Sequence, residues 1–180
     1  MSNYKLIFTG PVGAGKTTAI GALSDIEPIS TESQATDATR ERKPKTTVAM
    51  DYGRVSLAGG EIIHLYGTPG QERFDFMWEI LTEGGLGLIL LIDNARPNPL
   101  EDCRFFVSAF REFIDRTAMA VGITRFDLCA NPTVDDYVMT LQGMGLPDVP
   151  VFEVDARQRA DVGLLVEAMI CTLGVTGHGL

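Results

Sequence analysis

The chain has 180 residues, 45 % of them apolar and 22 % charged, and 15 Lys and Arg against 24 Asp and Glu leave a net charge of −9. That length suits one domain with a full core rather than two, and the apolar content is too high for a disordered chain. The acidity argues against nucleic acid as a partner, because clustered cations would have to hold its backbone. The longest apolar run, Leu86–Ile92, falls well short of the roughly 20 residues that span a bilayer. Lys5 interrupts the start, so no signal peptide is expected. Neither Ser2 nor the tail Gly177-His178-Gly179-Leu180 offers a lipid anchor. Cys103, Cys129 and Cys171 have no metal spacing and read as reduced, buried, small apolar residues. A single cytoplasmic domain over residues 1–180 is expected.

Short aliphatic runs alternate with longer amphipathic ones, the signature of βαβ units around a mainly parallel sheet. Tyr4–Thr9 reads as a strand, followed by a Gly-rich turn and a helix over Gly15–Leu23. Residues 24–45 are polar without a period and read as a long surface loop. Val48–Leu57 and Glu61–Tyr66 flank Ala58-Gly59-Gly60, which predicts a hairpin. Phe74–Thr82 has a helical cast, and Leu86–Asp93 is continuous enough to be buried on both faces. Leu100–Arg116 places Phe105, Phe106, Ala109, Phe110, Phe113 and Ile114 at helical spacing. A strand at Met119–Ile123, a helix at Val134–Leu141, a strand at Val151–Val154 and a helix at Val162–Leu173 complete an α/β fold. The expected total is six strands in one mostly parallel sheet, with five helices on its two faces.

Gly10-Pro11-Val12-Gly13-Ala14-Gly15-Lys16-Thr17 fits the phosphate-binding pattern GxxxxGK[ST] in full, directly after a strand and before a helix. Glycines let backbone N–H groups converge on phosphates at a helix N-terminus. Lys16 adds a charge at the β- and γ-phosphates, and the Thr17 hydroxyl is a ligand for Mg²⁺. Average composition predicts roughly 0.01 chance matches in a chain this long. The pattern implies a P-loop NTPase and leaves open which nucleotide it takes.

Four further segments narrow that choice. Gly67-Thr68-Pro69-Gly70-Gln71-Glu72-Arg73-Phe74, Thr124-Arg125-Phe126-Asp127, Asp155-Ala156-Arg157 and Thr46-Thr47-Val48-Ala49-Met50-Asp51-Tyr52 stand in order along the chain. There the sequence resembles the Ras-like small GTPases, whose motifs are DxxGQE, [NT]KxD, SAK and TIGVDF. Among them it resembles the bacterial branch of MglA-type gliding-motility and polarity GTPases. The resemblance covers the whole chain as one G domain, with the P-loop at 10–17, switch I at 24–47 and switch II at 67–83. It implies a molecular switch that binds GTP and GDP with Mg²⁺ and hydrolyses GTP slowly, in bacterial polarity, motility or signalling. Its implied partners are protein effectors and a GTPase-activating partner of the Roadblock-domain type.

By the same resemblance, Gly10, Gly13, Ala14, Gly15, Lys16, Thr17, Thr18 and Gly70 would hold phosphates, and Thr124, Arg125, Asp127, Ala156 and Arg157 the base. Thr17 and Thr47 would ligate the metal, and Gln71 would orient the attacking water beside Lys16 and Thr47. Asp127 would accept from guanine N1 and N2, donors that adenine does not present.

Four departures stand out. Gly67 replaces the Asp of DxxG, with Asp51 or Asp93 as candidate substitutes. Thr124 and Arg125 replace Asn and Lys of the guanine motif. Val12 stands where Ras has Gly and would crowd an inserted arginine. The loop to Thr47 is longer than in Ras and carries Arg40, Arg42, Lys43 and Lys45, either a solvated face or the source of an arginine finger in cis. His64 and His178 have no expected role. Trp78 lies at i+4 from Phe74 on a face shared with Met77 and Leu81, which either packs on the Leu100–Arg116 helix or leaves Phe76 and part of Trp78 open to a partner. Two rival functions are a nucleotide-binding scaffold with negligible turnover and a P-loop kinase, which would need a lid absent here.

Overall fold

The computed structural model describes residues 3–30, 50–57, 59–70 and 75–176. Within them the chain runs β1 (Asn3–Thr9), α1 (Lys16–Leu23), β2 (Ile29–Ser30), β3 (Asp51–Ser56), β4 (Ile62–Gly67), α2 (Asp75–Thr82) and β5 (Gly87–Asp93). It continues through α3 (Pro99–Ala109), α4 (Arg111–Ile114), β6 (Ala118–Thr124), α5 (Val134–Gly143), β7 (Val151–Glu153) and α6 (Arg159–Thr176). The strands form one sheet in the order β2-β3-β4-β1-β5-β6-β7. β2–β3 and β3–β4 are antiparallel, and every other pair is parallel.

The sheet is therefore mixed and, among the described residues, seven-stranded rather than six-stranded, with six helices rather than five. The extra strand, β2, is two exposed residues inside the segment read as loop, too short to show a period of two. The extra helix arises because the Leu100–Arg116 stretch breaks at Phe110, which leaves helical geometry at φ −100° and ψ 12°. Its ring lies stacked on Trp78 with centroids 5.0 Å apart. The spacing of the aromatics is helical on both sides of that residue, so the break leaves no mark in the pattern.

Every residue of β5 and β6 is buried, because side chains of a central strand alternate between two covered faces. Ile89 and Leu91 of β5 join Leu6, Phe8, Ile20, Leu165 and Met169 on the face covered by α1 and α6. Leu88, Leu90 and Ile92 join Ile7, Trp78, Phe106, Val107, Tyr137 and Leu141 on the face covered by α2, α3, α4 and α5. Each such aliphatic side chain contributes about 1.5–3 kcal/mol by leaving water. α5 begins at a reciprocal cap: the Thr133 backbone N–H and hydroxyl both donate to Asp136 Oδ2 at 2.8 Å, which holds the Asp136 carboxyl below its usual range.

All three cysteines are free, and two of them depart from the expected burial. Cys103 is buried, and burial pushes its thiol up to about 12. Cys129 is half-buried, and Cys171 lies on the exposed side of α6. No helix among the described residues is long and apolar enough to cross a membrane.

Candidate nucleotide site

Parallel strands deliver their C-terminal ends to one edge of the sheet, and in open α/β sheets the crevice outside those ends binds ligands. Here that edge gathers the turns after β1, β4, β5, β6 and β7. The turn after β1 is the phosphate-type loop. Gly10 has φ +138°, and a Cβ placed there would lie 2.0 Å from the Leu91 carbonyl oxygen, so only glycine lets the loop pass that close to β5. The loop closes through the Ala14 N–H, which donates to Pro11 O at 3.2 Å, and α1 starts with the Ala19 N–H donating to Gly15 O at 2.8 Å.

Lys16 folds back over this loop. Its ammonium donates to Gly10 O at 2.7 Å and to Pro11 O at 2.8 Å. Burial pushes its pKa down to about 8, opposed by the Asp51 carboxylate and assisted by Arg96. A buried lysine whose ammonium donates, among the described residues, to two neutral carbonyls is suited to receive an anion. Gly70 lies directly on the loop, since a Cβ there would fall 2.6 Å from Val12 N and 2.8 Å from Lys16 Nζ. Val12 is itself exposed.

The turn bearing Gly70 is tied down twice. Thr68 shares a 2.8 Å hydrogen bond with Thr9 through their hydroxyls, and the buried Trp78 indole N–H donates to Pro69 O at 3.1 Å. Trp78 packs on Phe106 and Phe110, so this face of α2 meets the following helix. Met77 is half-buried and Leu81 buried. The side chain of Phe76, with Phe74, Gln71, Thr47, Arg40, Arg42, Lys43, Lys45 and His178, lies outside the described residues.

Asp51 takes the space that Gly67 leaves empty. The two are register partners across β3 and β4, and a Cβ on Gly67 would lie 3.1 Å from Asp51 Cβ and 3.2 Å from Asp51 Oδ2. The Thr17 hydroxyl donates to Asp51 Oδ2 at 2.5 Å. A carboxylate thus sits beside the threonine after all, carried by the neighbouring strand. Asp93, the other candidate, lies elsewhere: its carboxylate accepts from the Arg125 guanidinium and from the Ala95 N–H. No group of three or more His, Cys, Asp or Glu side chains gathers among the described residues. A hydroxyl and one carboxylate nevertheless fit Mg²⁺, which uses few protein ligands and takes the rest from phosphates and water.

Next to the phosphate loop opens a cavity of about 800 Å³, within the usual range for small-molecule sites. It is lined by Gly13, Ala14, Gly15 and Thr18 of the loop and helix start, and by Thr124, Arg125, Asp127, Asp155, Ala156 and Arg157 from the end of β6 and beyond β6 and β7. The buried Thr124 hydroxyl donates to Ala14 O at 3.0 Å and ties the end of β6 to the loop. Arg125 adopts φ +55°, the left-handed region. Asp155 is held down to about 2 by the Arg157 side chain, whose Nε and Nη2 both donate to its carboxylate at 2.8 Å. His64 is remote from this edge and bonds the Tyr52 hydroxyl through Nδ1. Sequence reasoning overlooked Glu153, Asp155 as an acid and Asp161 on the cavity wall. Their only signal was the placement of three acids around the end of β7.

Residues 25–146 match the family described as conserved hypothetical ATP binding protein. An uncharacterized protein of Methanocaldococcus jannaschii is 30 % identical over 98 residues, 54 % of this chain and 56 % of that protein. The Ras-related protein RabC of Dictyostelium discoideum is 24 % identical over 115 residues, 61 % of this chain and 53 % of that protein. The chain thus spans about half the length of the curated relatives it matches. The family match begins beyond the phosphate loop and takes in β3, β4 and the segment with Asp127.

Proposed function

The chain belongs to the conserved hypothetical ATP-binding protein family and is a nucleotide-binding P-loop protein, and from that premise we propose that it is a guanine-nucleotide switch with slow GTPase activity. The observation that carries the reading is Asp127 on the wall of a cavity that opens directly from the Lys16 loop. A carboxylate there would match the paired N1–H and 2-amino donors of guanine. The similarity to a Ras-related protein supports the same reading. The family's description favours adenine, which offers no such pair, so the base is the point to test.

In this reading the backbone N–H groups of residues 13–18 and the Lys16 ammonium hold the β- and γ-phosphates, and the Gly70 backbone contacts the γ-phosphate. Thr17 and Asp51 would hold Mg²⁺, which supplies charge neutralisation on the phosphates when bound. Thr47 is proposed as a further ligand from switch I. Water oriented by Gln71 bonds to the γ-phosphorus as the phosphorus bond to the β–γ bridging oxygen breaks; a proton of the water passes to an oxygen of the released phosphate, and Lys16 and the loop N–H groups offset the charge on the leaving diphosphate. Protein effectors would read the two nucleotide states, with a Roadblock-type activating partner as the family resemblance implies.

The test is competition. GDP should displace a labelled nucleotide at least tenfold better than ADP, because losing a doubly bonded carboxylate partner costs about 2–3 kcal/mol. Asp127→Ala should erase the preference and spare phosphate binding. Equal displacement by both nucleotides would overturn the guanine reading, and better displacement by ADP would return the family's adenine description. Single-turnover hydrolysis separates a switch from a static scaffold.

Two further outcomes bear on the switch. Asp51→Ala should weaken Mg²⁺-dependent nucleotide retention by about tenfold. Asp51→Gly with Gly67→Asp, which returns the carboxylate to β4, should recover most of it; dissociation rates with and without chelator read both. Replacing GDP by a non-hydrolysable GTP analogue should change tryptophan emission, since Trp78 is bonded to Pro69, the residue before Gly70. Unchanged emission after verified exchange would mean that switch II stays still.

A further inference from the structure

The segment carrying Asp127, residues 125–132, is mostly exposed and has no regular structure, yet a base-reading carboxylate needs a fixed position. Its anchors lie behind it, at the end of β5. Asp93 is 4 % and Asn94 1 % exposed. Asp93 takes the guanidinium of Arg125, the residue in the left-handed conformation at the start of the segment. The Asn94 side-chain amide donates both hydrogens into the segment, to Cys129 O at 2.6 Å and Pro132 O at 3.0 Å. Its Oδ1 accepts at 2.7 Å from the hydroxyl of Tyr137, a fully buried side chain on α5. The two carbonyls can only accept, so the NH₂ must face the segment, and the Tyr137 hydroxyl satisfies the Oδ1 left on the far side by donating to it. The Asn94 backbone N–H donates to Thr124 O at 3.0 Å and locks the unit to β6.

Resting on the guanine reading, we propose that Asp93, Asn94 and Tyr137 form a buried clamp that positions the base-reading segment and thereby sets purine selectivity, without touching the nucleotide. Both ends of the segment are held, at Arg125 and at Cys129–Pro132, and Asp127 lies between them. Tyr137 is the lock of the clamp. Its hydroxyl bonds Asn94 rather than a residue of the phosphate loop, so its loss should be felt at the base rather than at the phosphates. The three are positioning residues, and the carboxylate that meets the base remains Asp127.

Inosine diphosphate keeps N1–H and lacks only the 2-amino group, so it isolates the 2-amino half of the proposed Asp127 interaction. Affinities of the full chain for GDP, inosine diphosphate and pyrophosphate should be measured for wild type, Tyr137→Phe, Asn94→Ala, Asp127→Ala and the Tyr137→Phe/Asp127→Ala double variant. Wild type should prefer GDP to inosine diphosphate by about tenfold. Tyr137→Phe should cut that ratio by about threefold or more and leave pyrophosphate binding unchanged, while Asn94→Ala should cut it further. In the Asp127→Ala background Tyr137→Phe should have no additional effect on the ratio. If Asn94→Ala does not fold, Tyr137→Phe decides alone. A folded Tyr137→Phe protein that keeps its full GDP preference overturns the clamp and leaves the guanine reading intact. A parallel loss of pyrophosphate binding overturns it also, because that marks general loosening. A wild type without the preference, unaltered by Asp127→Ala, overturns the guanine reading and the clamp with it.

Discussion

Lys16→Ala is expected to lower nucleotide affinity by about 100-fold or more, since two charge-assisted bonds to phosphate are worth about 3–5 kcal/mol together. The stability of the empty protein should behave differently. In the folded chain the ammonium sits at about 8, against its ordinary 10.5, because of burial. The unfolded chain therefore holds this proton more tightly, and folding bears a cost that is fully present below pH 8 and relieved as pH rises toward 10.5. That cost is about 3 kcal/mol, and it roughly offsets the two bonds that Lys16 makes to Gly10 and Pro11 carbonyls. Thermal melts at pH 7 should place the empty variant within about 3 °C of wild type. Wild-type affinity should be flat below pH 8 and fall above it, as the charge that the phosphates need is lost. Titration calorimetry across pH 7–10 should show that fall in wild type and none in the variant. A variant that binds well, or a flat wild-type profile, would contradict this account.

The second large effect belongs to Gly10. Gly10→Ala puts a methyl group 2.0 Å from the Leu91 carbonyl oxygen at φ +138°, a backbone clash that no rotamer relieves. The loss should exceed about 4 kcal/mol, or about 8–16 °C in melting temperature for a chain of this size, and much of the protein should be recovered insoluble. Gly13→Ala is the control in the same loop. At φ +81° it meets nothing within 4 Å, so it bears only the conformational cost of about 1–2 kcal/mol. Comparable melting temperatures for the two variants would mean that the loop does not pass against β5 as described.

These contrasts also explain what the sequence discloses. The Lys16 loop, the hairpin at Ala58-Gly59-Gly60 and the doubly buried run at 86–93 are written in contiguous residues, where spacing alone carries the signal. The cavity residues from Thr124 to Arg157 were found because each sits at the end of a strand in a known order. Asp51 was narrowed only to a pair with Asp93, because which carboxylate reaches Thr17 depends on the register of β3 against β4. Asn94 and Tyr137 are 43 positions apart, and a buried amide paired with a buried phenol has no local pattern at all. Phe110 leaves helical geometry while its ring stacks on Trp78, and the helical spacing of the aromatics on either side conceals the break. β2 is held by two rungs to β3 and owes its extended shape to that partner rather than to its own residues.

The seven rungs between β5 and β6, from Gly87–Ala118 to Asp93–Thr124, lie wholly out of water. Their central amides have no local route to solvent and exchange with deuterium only when the whole domain opens. Nucleotide that binds the folded chain alone reduces that opening by the factor 1 + [L]/Kd. The slowest-labelling stretch of the sheet, 88–91 and 119–122, thus serves as a built-in gauge of occupancy, reporting affinity from residues that the ligand never meets.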